Sequence, residues 1–63
     1  MKLIILKRTP QGWIAKFIGE GADEIQNLFG TTEIPTAYTA QANGIDVKEA
    51  IQKLNPEHTI RLV

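Results

Sequence analysis

Apolar and polar positions alternate along residues 2–18, change to helical spacing at 22–29, return to an extended pattern at 31–39, become helical again over 47–54 and end in a short alternating run from Thr59. A period of two marks strands and a repeat of three to four marks helices, so the predicted order is β-β-α-β-α-β. The first segment dominates. Lys2 to Ile18 holds the densest run of β-branched and aromatic residues and is split by Thr9-Pro10-Gln11-Gly12, which reads as a type I turn. Pro10 presets φ at the second turn position, and Gly12 can take the left-handed conformation that closes a three-residue loop with a bulge.

That loop would set Thr9 opposite Trp13, Lys7 opposite Ala15, Ile5 opposite Phe17 and Leu3 opposite Gly19, all on one side of the ribbon. The other side would pair Arg8 with Ile14, Leu6 with Lys16 and Ile4 with Ile18. Because side chains alternate across a strand, register decides which set meets the core. Here each side carries apolar residues, Leu3, Ile5, Trp13, Ala15 and Phe17 on one and Ile4, Leu6, Ile14 and Ile18 on the other. A half-solvated antiparallel sheet normally has one clean polar face, so both faces of this hairpin want cover.

Ala22, Ile25, Leu28 and Phe29 form the stripe of a two-turn helix, with acidic residues at its start, where they suit the dipole, and Gly30 as its stop. Thr31 to Thr39 reads as an edge strand or extended loop, since Pro35 cannot donate to a ladder. Asn43-Gly44 reads as a turn; Asp46 and Glu49 then form a capping box, Ile45 is placed to staple onto Ala50, and Val47, Ala50, Ile51 and Leu54 give the second helix its stripe. Asn55-Pro56 ends that helix. In the last strand Ile60 and Leu62 share one face and Arg61 takes the other, with the first strand as its natural neighbour in either direction. The fold class is α+β: a single small domain over residues 1–63, its N-terminal hairpin in a sheet of three or four strands packed by two short helices.

Composition narrows the chemistry. There is no cysteine, which removes disulfides, thiol nucleophiles and thiolate metal sites, and there is no serine either. No run of about 18 apolar residues and no signal-peptide pattern occurs, so a soluble cytoplasmic protein is expected, with no membrane partner. Seven basic and seven acidic side chains cancel, but their order does not: residues 1–19 hold Lys2, Lys7, Arg8 and Lys16 with no acid, and residues 20–46 hold acids with no base. The two segments either neutralise each other or leave a polarised surface that orients a charged partner.

Leu28-Phe29-Gly30-Thr31, Ile34-Pro35-Thr36-Ala37-Tyr38-Thr39 and Asn55-Pro56 ahead of a final strand resemble a group of short uncharacterised proteins from cyanobacteria, over about residues 28 to 60. The resemblance implies a cytoplasmic, stand-alone small domain without an assigned activity, and it carries over no catalytic residue.

For an enzyme the inventory is poor, and none is expected. His58 stands alone in a loop after Pro56-Glu57, and Tyr38 has the sheet edge to pack against. Gly19-x-Gly21 follows a strand and opens a helix, as nucleotide loops do, but lacks the third glycine and stands among carboxylates that would repel phosphate. No cofactor and no metal site is expected. Nucleic acid is a weaker candidate partner, through Trp13 and Phe17 with Lys7 on one hairpin face and Lys2, Lys16, Arg8 and Arg61 nearby: aromatics on a sheet can stack on bases, but the chain is not basic overall. Area favours protein. Two short helices suffice for one face of a small sheet, which leaves the second hairpin face, or the exposed edge beside it, for another chain, either a copy of this one or a different protein; the alternative is a stand-alone domain in which one helix lies on each face or loop 31–44 folds back over the remainder. The candidate interaction residues are Trp13, Phe17, Lys7, Ile5, Arg8 and Lys16, with Trp13 and Phe17 as the aromatic anchors.

Overall fold

The computed structural model describes all 63 residues. Strands β1 (Lys2–Thr9) and β2 (Gly12–Gly19) form the hairpin, followed by helix α1 (Ala22–Phe29), strand β3 (Glu33–Pro35), helix α2 (Gly44–Leu54) and strand β4 (Thr59–Leu62). One mixed sheet in the order β3-β2-β1-β4 results. β2 is antiparallel to both β1 and β3, and β4 lies parallel to β1. The small α+β domain and its element order are those read from the sequence, and the direction of β4, left open there, is parallel.

The hairpin register differs by one residue from the expected one. Thr9 pairs with Gly12, Arg8 with Trp13, Leu6 with Ala15 and Ile4 with Phe17, around a two-residue turn at Pro10-Gln11. Gly12 is the first residue of β2, not a bulge. Its φ of 130° and the Tyr38 carbonyl, only 2.6 Å from where a Cβ would stand, require glycine. The physical reason for the shift is burial. In this register Ile4, Leu6, Trp13, Ala15 and Phe17 share one face, whereas the three-residue loop would have put Trp13 beside Thr9 and Lys7 and away from Ile4 and Leu6. Removing the Trp13 ring from water stabilises by about 4 to 6 kcal/mol on an upper-limit area count, more than a turn preference contributes.

All cover lies on that face. Val47 of α2 completes the core with Ile4, Leu6, Trp13, Ala15 and Ile60, and Phe17, Ala42 and Ile51 pack around it. The loop before α2 is tied down by Trp13, whose indole N–H donates to the Ala42 carbonyl at 3.1 Å, and by Arg8, whose guanidinium donates to the same oxygen at 3.2 Å. α2 begins three residues earlier than the capping box implied. Asn43 is the N-cap and its side chain accepts from the Ile45 N–H at 2.8 Å, so Asp46 is a first-turn residue and not the cap. The rest of α2 follows the sequence, its last turn closing at Asn55 ahead of Pro56. α1 also has the expected bounds, ending at Gly30 with φ 75°, but it covers less than its stripe suggests. Ala22 and Ile25 are partly buried, while Leu28 and Phe29 remain 76% and 60% exposed.

Three substitutions test this packing. Trp13→Ala should cost about 3 to 5 kcal/mol, comparable with the whole stability of so small a domain, and appear in urea titrations followed by circular dichroism as loss of the folded baseline. Asn43→Ala should cost about 1 kcal/mol and Asp46→Asn about half that or less; the reverse order would return the cap to Asp46.

Candidate functional site

The one-residue register shift sorts the candidate residues. Trp13, Phe17 and Arg8 lie on the helix-covered face, and Ile5, Lys7 and Lys16 lie on the other. The expected grouping of Trp13, Phe17 and Lys7 on one surface does not occur. Trp13 is 4% exposed and Phe17 partly buried, with the His58 ring edge-on to Phe17 at 5.8 Å. The Arg8 guanidinium sits 4.8 Å from the centroid of the Trp13 ring and covers it. Trp13 therefore offers neither a stacking face for a base nor an anchor for a partner.

The opposite face of the sheet is built by three rows of paired residues. Glu33, Lys16, Ile5 and Arg61 run across all four strands in one row; Pro35, Ile14 and Lys7 form a second; Ile18, Leu3 and Thr59 form a third. No helix or loop contributes to it: every tertiary contact of α2 with the core, and both side-chain bonds to the loop at Ala42, are on the Trp13 side. Leu3, Ile5, Ile14 and Ile18 are only partly buried, and they form an apolar stripe along the β1–β2 seam. A shallow depression on this face is lined by Ile5, Ile14, Lys7, Lys16, Glu33 and Val63. The sequence had marked Ile5, Lys7, Lys16 and, among the basic residues near the hairpin, Arg61; Leu3, Ile14, Ile18 and Glu33 join them only once the register and the neighbours of the hairpin are known.

Charge on this face is unpaired. The ion pairs of the molecule are the Met1 amino group with Glu20 at 3.4 Å and Lys2 with Glu57 at 2.9 Å. Lys7, Lys16, Arg61 and Glu33 take part in neither, so the basic hairpin and the acidic middle segment neutralise each other only at Met1–Glu20. The Glu57 carboxylate accepts a hydrogen bond from Lys2 and attracts its charge, which holds the ammonium above the ordinary lysine value. The same bond and the same charge hold Glu57 below the ordinary carboxylate range.

The helix side carries a second apolar depression, between α2 and the segment after β3, lined among others by Ala15, Phe17, Ile34, Tyr38, Ile51 and Leu54. The Thr36 hydroxyl beside it is engaged with backbone, donating to the Trp13 carbonyl at 2.8 Å. No cluster of three or more His, Asp or Glu side chains that could hold a metal is present, and no helix is long and apolar enough to cross a membrane. Comparison with known protein families, with curated proteins and with solved structures finds no match to this chain.

The Lys2–Glu57 pair gives a pH signature. A depressed carboxylate contributes stability above its unfolded midpoint, about pH 4.3, and loses it as pH falls through the folded midpoint. Carboxyl-detected NMR should find Glu57 titrating below the ordinary carboxylate range, and Lys2→Met should bring it back to that range. Because the pair is on the surface, the stability change should be small.

Proposed function

We propose that the protein is a small interaction module that docks another protein chain on the uncovered face of its sheet, and that it acts by binding, not by catalysis. The observation that carries this reading is the one-sided distribution of cover. α2 and the long loop pack on the Trp13 face and Ile25 of α1 lies beside Phe17 there, while Leu3, Ile5, Ile14 and Ile18, each partly exposed, form a contiguous apolar stripe that no helix covers. Contiguous apolar surface rimmed by charge is the usual mark of a protein contact. The charges at the rim, Lys7, Lys16 and Arg61 against the single Glu33, favour a surface with an apolar centre and carboxylates at its margin. Ile5 and Ile14 take the anchoring role that the sequence assigned to Trp13. Lysine stems beside them add apolar area while their ammonium groups stay in water. The absence of cysteine suits a reducing compartment, and the reading puts the protein in the cytoplasm.

The double variant Ile5→Asp, Ile14→Asp tests it. The core on the other face is untouched, so circular dichroism and Trp13 emission should stay those of the native fold. Association, measured as retention of partner chains, copies of this chain included, on immobilised protein at matched concentration, should fall at least tenfold, the loss of about 1.4 kcal/mol or more at a central anchor. Equal retention by the native and the doubly substituted protein would remove the face from consideration.

A further inference from the structure

Building on the docking face proposed above, we infer that its occupant is a second copy of this chain, stacked face to face about a two-fold axis that runs parallel to the strands above the β1–β2 seam. The row Glu33–Lys16–Ile5–Arg61 carries opposite charges at its two ends. The sheet order is β3-β2-β1-β4, so an axis over the central seam exchanges β3 with β4 and β2 with β1 and keeps each row at its own height. Glu33 of each copy then stands over Arg61 of the other, and Lys16 over Ile5. In the neighbouring rows Ile14 falls over Lys7 and Ile18 over Leu3.

This arrangement is self-complementary. It makes two reciprocal Glu33–Arg61 contacts between copies, from two residues that have no ion pair within the chain. It sets each lysine over an isoleucine, where the stem packs and the ammonium reaches the rim, and no two like charges are directly opposed. The other in-plane two-fold, perpendicular to the strands and centred on the same row, would set Glu33 on Glu33, Lys16 on Lys16 and Arg61 on Arg61. Like charges juxtaposed in this way cost several kcal/mol in general, and that alternative drops out.

Geometry permits the contact. Stacked sheets lie about 10 Å apart, a gap that arginine and glutamate side chains reaching from opposite sides can close. Aligned packing rotates the sheets by about 30°, which displaces an edge strand about 7 Å from the axis by only about 4 Å. Two strands of eight residues and two of three and four, at about 3.3 Å per residue and about 4.8 Å apart, present roughly 370 Å² per copy in projection, so the pair buries about 740 Å², the size of a weak, transient contact. A closed, isologous dimer that dissociates on dilution is therefore expected, not a filament.

Sedimentation equilibrium over a dilution series tests the inference with the full chain. The native protein should pass from one chain to two with rising concentration and form nothing larger. Glu33→Arg alone opposes two cations at each edge contact, and Arg61→Glu alone opposes two anions; each should weaken association at least tenfold. An equimolar mixture of the two variants restores an opposite-charge pair at both edges and should regain the dimer, which also shows that both variants are folded. Native protein that stays a single chain throughout, single variants that associate like the native protein, or a mixture that stays monomeric would each overturn the two-fold dimer. The docking of a different chain would be untouched by that failure, because it is decided by the Ile5, Ile14 comparison.

Discussion

Burial of one tryptophan organises this molecule. Trp13 sits under α2, and with a chain this short no other side chain removes as much surface from water. Its position dictates which residues of β1 lie beside it, and so which side of the ribbon receives the helices. The neighbouring elements accommodate it closely. The Ala42 carbonyl takes hydrogen bonds from both the indole and Arg8, and a Cβ on Gly44 at the start of α2 would stand 3.2 Å from the ring, so a side chain there would press against it. The Tyr38 carbonyl accepts from the Trp13 N–H, and Thr36 bonds the Trp13 carbonyl through both its N–H and its hydroxyl. Loop, helix and hairpin thus converge on a single residue, and the remaining side of the sheet is left with nothing over it.

Much of the architecture was legible from local pattern because the local signals were strong and mutually consistent. The stripe of α1, the Gly30 stop, the Asn55-Pro56 break and the alternation of Ile60, Arg61 and Leu62 all describe what the chain does within a few residues. What escaped was decided at longer range. Thr9-Pro10-Gln11-Gly12 is compatible with two loops that differ by one residue, and only the burial of Trp13 against Val47 and Ile60 chooses between them. At α2, Asn43 and Asp46 are both good caps three residues apart, and the one nearer the loop that closes over Trp13 takes the role. The candidate face follows the same rule: Ile5, Lys7, Lys16 and Arg61 are visible in the sequence, but Trp13 leaves the set, and Glu33 enters it, only with the cross-strand partners in hand.

Charge follows the same geometry. Read along the chain, the basic first segment and the acidic middle look like partners for each other. Folded, α1 carries its acids on the helix side, while Lys7 and Lys16 alternate onto the other, so the sheet itself stands between them. Period-two alternation places Lys16 beside Ile5 and Lys7 beside Ile14 on the open face, which keeps it wettable, while Leu3 beside Ile18 leaves apolar area to reward a fitted surface.

The central place of β1 has a kinetic side. Its antiparallel neighbour follows after a turn, but its parallel neighbour, paired from Leu3–Thr59 to Leu6–Leu62, lies more than fifty residues downstream. Closing so long a loop is slow compared with forming a hairpin, so during folding one edge of β1 stays open with its backbone groups unpaired until residues 59–62 dock. That interval is when strand-to-strand mispairing between molecules competes, and the rate at which the last strand zips home sets how long the chain is exposed to it.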